Sequence, residues 1–217
     1  MMNSVELSNY IRKNYKPTMR SMSMRTLVHG VGINDADYMQ QPVTENGRVT
    51  CPAYRAWKSM LGRAYYERIH KLDPAYADVE VCNEWLKFMR FRGWWVDNYR
   101  EGFHLDKDLF GDGKEYSPEK CIYIPQWLNA FIMTGESRRG DCLIGVNVNK
   151  RSGKYIAQSN NPVTGKREFI GHFDDMVEAS ERYKERKKEH AISLKPHMDE
   201  IDLRIFNRVI KLIEESK

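Results

Sequence analysis

The sequence predicts an α+β fold of small strands and short helices, and three observations predict it. Apolar residues recur at helical spacing over 52–67 and 83–92. A strand–loop–strand–helix outline runs through 103–132, turned by Gly111-Asp112-Gly113 and Ser117-Pro118. Three short strands followed by one helix are legible over 143–190. The expected divisions are an N-terminal extension over 1–50, a domain over 51–137, a second over 138–191, and a C-terminal helical segment over 192–217.

Taken in order, residues 4–14 read as a short helix with Leu7, Tyr10 and Ile11 on one side and Arg12 and Lys13 near its negative end. In GVGINDADY (30–38), Gly30, Gly32 and the Asn34-Asp35 pair read as turns, as does Asn46-Gly47-Arg48. GVG is no dinucleotide fingerprint, because GxGxxG is absent. Pro52 fits the first turn of the 52–67 helix, whose stripe is Ala53, Trp57, Met60, Leu61 and Ala64. A loop with Pro74 covers 70–79. The helix at 83–92 places Trp85, Phe88 and Met89 for burial, with Trp95 just beyond, and these aromatics read as core.

His104–Leu109 suit an extended segment, Cys121–Ile124 a returning strand, and Pro125 precedes a short helix with Trp127, Leu128 and Phe131. Residues 135–140 read as a polar linker. Strands follow at 143–149, 154–160 and 166–171, then a helix at 175–190 with Asp174 or Asp175 as its cap. Met176, Ala179, Tyr183 and Arg186 are expected toward the sheet, with Lys184, Lys187 and Lys188 at the surface. Pro196 is expected to break the chain before an amphipathic helix at 199–215, whose stripe of Ile201, Ile205, Val209 and Leu212 packs on this chain or on a partner.

With 41% hydrophobic and 30% charged residues, the composition permits a packed core and excludes wholesale disorder. No segment approaches the roughly 20 apolar residues of a membrane span, and the first residues do not read as a secretory signal. The expected location is therefore a cytoplasm, with no membrane partner. Cys51, Cys82, Cys121 and Cys142 form no CxxC pair and read as buried thiols rather than a zinc site. The net charge of +5 is uneven: 138–190 holds twelve Lys/Arg against eight Asp/Glu, and the rest is nearly balanced. That asymmetry suits a polyanion.

The stretch GVNVNKRSGKYIAQSNNPVTGKREFIGHFDDMVEASERYKERKKEHA resembles the AP2-type DNA-binding domain, including its prokaryotic and phage versions. The resemblance lies in the Gly-Val start, the Gly-Lys-Tyr-x-Ala centre, the Gly-x-Phe junction and the Ala-x-x-x-Tyr helix. It implies an AP2-like three-stranded sheet plus helix, with the sheet in the major groove of double-stranded DNA. By position, Asn147, Asn149, Arg151, Lys154, Tyr155 and Gln158 would face DNA, and Lys166 and Arg167 would mainly contact phosphates. Asn and Gln suit adenine edges, whereas Arg and Lys suit guanine or phosphate. The first-strand positions are commonly Arg or Trp in the family, and both are Asn here.

GVGINDADY, CPAYRAWKSMLGRAYY, VEVCNEWLKFMRFRGWW and HLDKDLFGDGKEYSPEKCIYIP are similar to a phage family related to HNH, or His-Me finger, endonucleases. That similarity implies a degenerate HNH-like ββα unit preceded by N-terminal helices. Such a unit needs a base to activate water and a divalent metal, here Mg²⁺, to stabilise charge at phosphorus. Asp106 matches the metal position and Asn129 the helix ligand, while Lys107 stands where the general-base His is usual. A lysine of ordinary pKa is protonated at neutrality. His104, two residues earlier on the same strand face, is the substitute base, and Asp108 a second metal carboxylate.

Three readings follow: a phage DNA-binding protein with a degenerate HNH-like unit, acting in the infected host cell; a Mg²⁺-dependent DNA endonuclease; or a module that binds a host protein or forms a homodimer through the C-terminal helix.

Overall fold

Asn3 starts the first helix, α1 (Ser4–Asn14): its side chain accepts from the Glu6 backbone N–H, and Glu6 accepts from the Asn3 N–H in return. The computed structural model describes residues 2–45, 47–133 and 140–217, and the chain divides into two units, Met1–Tyr123 and Ile124–Lys217. The architecture is α+β, with short helices and sheets of two or three strands.

In the first unit α1 is followed by α2 (Met19–Ser23), the strand pair β1 (Val43–Thr44) and β2 (Gly47–Arg48), and α3 (Pro52–Tyr65). The α3 stripe packs as its periodicity predicts, with Ala53, Trp57, Met60, Leu61 and Ala64 all buried. The 70–79 segment is more ordered than expected: α4 (Glu67–Leu72) reaches into it, and a 3₁₀ turn covers Pro74–Tyr76. The helix expected at 83–92 begins later, as α5 (Phe88–Asn98). Ile33 displaces its start, since Ile33 N–H donates to Leu86 O and Phe88 N–H to Ile33 O. Asp35 then accepts from the Met89 N–H, capping α5 from 54 residues away.

Trp57, Trp85, Trp95, Tyr38, Phe88, Phe91 and Tyr116 are fully buried and form one core. Trp57 Nε1 donates to Trp85 O at 2.7 Å, so the largest side chain of α3 is both packed and satisfied. Beside this core, β3 (Glu80–Val81) pairs in parallel with β5 (Glu115–Tyr116), and β4 (Phe103–Asp106) pairs with β6 (Ile122–Pro125). All four cysteines are free thiols. Cys51 is buried against the hydroxyls of Ser8 and Tyr38 at 3.3 and 3.2 Å.

The second unit contains α6 (Gln126–Ile132), a sheet of β7 (Val146–Val148), β8 (Tyr155–Asn160) and β9 (Arg167–Phe173), then α7 (Met176–Asp199) and α8 (Ile205–Glu215). Apart from Gly140, the expected 135–140 linker lies outside the described residues. Both ladders are antiparallel, and β7–β8–β9 lie in that order. Asp175 caps α7, accepting from the Glu178 N–H. Pro196 does not end this helix, which continues to Asp199. Buried Ala191, Leu194 and Met198 carry the packed stripe past the proline, and that packing compensates for the hydrogen bond it removes. The last helix buries Ile205, Val209 and Ile213 within this chain. Among the described residues, no helix is long and apolar enough to cross a membrane.

Candidate nucleic-acid interface

The segment singled out for cleavage chemistry is occupied by its own structure. Asp106, at the end of β4, is buried, and its Oδ1 accepts from the N–H groups of Asp108 and Leu109 at 3.1 and 2.8 Å. It is a turn cap. Burial raises its carboxyl above the usual aspartate range, although those two donors pull the other way. Lys107 is buried too. Its Nζ lies 2.8 Å from Asp108 Oδ1 and over the rings of Tyr76 and Tyr116, at 5.5 and 5.8 Å. The side chain is thus committed to its own turn and to these two rings. His104 is exposed on the strand that carries buried Asp106, and Asn129 lies on α6 in the second unit.

The donor set does not fit a divalent metal. One Asp106 oxygen is engaged by backbone N–H groups, one Asp108 oxygen by an ammonium, and no group of three His, Cys, Asp or Glu able to hold a metal occurs among the described residues. Burial pushes the Cys121 thiol up to about 12 and raises that of Cys82.

The sheet is different, because its two faces separate by chemistry. Val146, Ala157 and Ala179 form a small core between sheet and α7, joined by Tyr155, Ile170, Phe173, Met176 and Tyr183. Gly145 admits Tyr183: its φ is +74°, and a Cβ there would lie 2.0 Å from the Tyr183 ring. Tyr155, expected to face DNA, is thus on the helix side, paired with Val148 and Phe173 in one cross-strand row.

Period-two alternation from these rows puts Asn147, Ile156, Gln158, Asn160, Arg167, Phe169 and His172 on the other face. A bulge preserves this segregation. Ala157 pairs with Gly171 and Gln158 with Phe169, leaving Ile170 as the extra residue on β9. Phe169, 59% exposed, therefore sits beside His172, their rings 5.1 Å apart. Glu168 points to α7, where its Oε2 lies 3.2 Å from His190 Nε2 without hydrogen-bond geometry and 4.0 Å from Arg186. The Asn161 amide donates to Glu168 Oε1 at 2.7 Å and, with His190 and Arg186, lowers its pKa.

Around the rim, Arg151, Lys166 and Arg167 are exposed. Lys154 is exposed but paired with Asp174 at 3.0 Å. Asn149 is committed to the hairpin, accepting from the Arg151 and Ser152 N–H groups. Lys187, expected at the surface, is buried between Phe131 and Tyr183, 5.4 and 5.6 Å from their ring centres. Of the residues implied by the sequence, the sheet therefore brings together Asn147, Gln158 and Arg167. It adds Phe169 and His172: Phe169 shares the face of Arg167 by plain alternation and was passed over, whereas His172 was missed because the third strand was expected to end at 171 and the bulge before it leaves no sequence signature.

The face so defined carries amides, one guanidinium, one imidazole and an exposed phenyl ring, and none of its seven side chains is a carboxylate. Such a surface can stack on bases, accept and donate at base edges, and neutralise phosphate. No family model matches the chain, and no curated protein or solved structure matches it either.

Proposed function

We propose that this chain is a phage DNA-binding protein that meets duplex DNA with the open face of its three-stranded sheet, and that its HNH-like unit is kept for binding without cutting. The observation that carries the reading is the acid-free outer face: Glu168 is turned toward α7, while Asn147, Gln158, Arg167, Phe169 and His172 are turned outward. The resemblance to AP2-type domains supports the same face, since that family meets DNA with its sheet. The engagement of Asp106 and Lys107 in turn and cage supports a non-cutting role.

The deciding experiment titrates a labelled random-sequence duplex with the full chain at several salt concentrations. Binding that weakens with a slope of about −0.9 per neutralised phosphate is expected. No association at low salt overturns the reading. A parallel incubation with Mg²⁺ is expected to give no cleavage product, and a product that disappears in Asp106→Ala would restore the endonuclease reading.

A further inference from the structure

The first unit has a polar region that neither the HNH-like segment nor the sheet explains. Two open clefts, about 410 and 450 Å³, share His29, Gln41, Tyr54 and Lys58 in their walls. The first continues along α3 to Arg55, Ser59 and Gly62, and the second reaches Arg25 and Asn34. Neither wall contains a carboxylate among the described residues, whereas Arg25, Arg55 and Lys58 are all there. Arg25 donates to the carbonyls of Asn34 and Tyr38, so its charge is fixed in place by neutral acceptors. Arg55, Lys58 and Ser59 are exposed and fall on one stripe of α3, because residues three and four apart share a helix face.

The wall opposite α3 is held by strained backbone. His29 is the one non-glycine residue with positive φ among the described residues, at +50°. Its ring leans on Tyr66 at 5.5 Å, and Gly62 leaves room for it: a Cβ on Gly62 would lie 3.2 Å from His29 Nε2. Burial and the nearby Lys58 ammonium lower the His29 pKa, against a hydrogen bond to the Lys58 backbone that raises it. A pocket wall that accepts a left-handed histidine, lined by cations and hydroxyls and lacking acids, has the chemistry of an anion site.

We infer that these joined clefts, centred on Lys58 with Arg55, Ser59 and Arg25 around it, bind a backbone phosphate of nucleic acid and give the chain a second contact on DNA apart from the sheet. This rests on the reading of the chain as a nucleic-acid binder. A nucleic-acid phosphate is favoured over a free one because both clefts are open and the cations are spread along a helix face, which suits a polymer.

The test compares duplex affinity and salt dependence for the full chain, Lys58→Glu, Lys58→Arg and Arg167→Glu, with the His29 ring NMR signals followed during addition of inorganic phosphate. Lys58 is exposed, so an unchanged unfolding midpoint in Lys58→Glu is expected and checks that the unit stays folded. A loss of roughly tenfold in duplex affinity, a salt slope shallower by about 1, and recovery in Lys58→Arg support the inference. Full duplex affinity in Lys58→Glu beside a loss in Arg167→Glu overturns it and leaves the sheet reading standing. The reverse pattern upholds the cleft and removes the sheet. If inorganic phosphate moves the His29 signals while duplex affinity ignores Lys58, the site takes a free anion and the nucleic-acid assignment fails.

Discussion

In the turn after β4, Asp106 caps two backbone N–H groups, and Lys107 is enclosed by Tyr76, Tyr116 and Asp108. On the sheet of the second unit, Asn147 and Arg167 are exposed on a face from which Glu168, the acid within β9, is turned to the opposite side. Both regions were candidates for contact with nucleic acid, and both carry polar residues in short strands. What separates them is where the hydrogen-bonding capacity goes. Groups consumed by their own backbone hold a turn together, and groups left at the surface remain able to recognise something else.

The widest gap between the regions should appear on deleting the Asp106 carboxylate. Asp106→Ala orphans two N–H groups beneath a buried turn, and the expected loss is on the order of 2–4 kcal/mol of stability, read as a lower urea midpoint. A midpoint equal to the parent's would mean that the cap is dispensable. Next in size, Phe169→Ala should leave stability within about 0.5 kcal/mol. Its duplex binding should nevertheless weaken by about 1–3 kcal/mol, as expected for a lost stacking surface and measurable by fluorescence titration. Equal affinity would remove Phe169 from the interface.

A smaller effect is expected from Arg167→Gln, whose signature is a salt slope shallower by about 1 with little change in sequence preference. The smallest concerns pH. Burial raises the Asp106 pKa in the folded chain, so the folded state binds the proton more readily than the unfolded one. Stability therefore falls as pH rises from the unfolded aspartate value toward the folded one, and the ionised carboxylate opposes folding at neutrality. Asp106→Asn keeps an acceptor for the turn without that charge. It should be at least as stable as the parent near neutrality and show a steeper acid limb in unfolding curves taken across pH, because the parent's Asp106 offsets part of the stability that Asp37 and Glu168, whose pKa values are lowered, lose on acidification. A flatter limb would reverse the assignment.

Much of the fold was legible where one periodicity ran uninterrupted. The stripe of α3 needs only local information, and it packed as its spacing implied. Long-range bonds defeated the rest. The start of α5 is set by Ile33 and Asp35, far upstream, and no pattern around residue 83 records them. Pro196 was a sound local signal outweighed by burial of the residues around it. On the sheet, Asn147, Gln158 and Arg167, all named from strand position, share one face. Tyr155 was placed on the wrong face because its aromatic ring suits either a core or a base, and only the cross-strand row decides between them. Lys187 shows the same ambiguity in reverse, since a lysine near a helix end gives no hint of the two rings that enclose it.

The single extra residue at Ile170 has a wider consequence. Up to the bulge, Arg167 and Phe169 face outward and Glu168 inward, and beyond it His172 faces outward again. Were the bulge ironed out at constant length, with the pairing beyond it retained, the first half of β9 would slide by one position and exchange its faces. Glu168 would then arrive at the surface while Arg167 and Phe169 turned toward α7. The electrical sign of the sheet is thus written in a pairing register: the bulge sets it, and deletion of Ile170 itself, which keeps Phe169 beside Gln158 and Gly171 beside Ala157, would leave that sign unchanged.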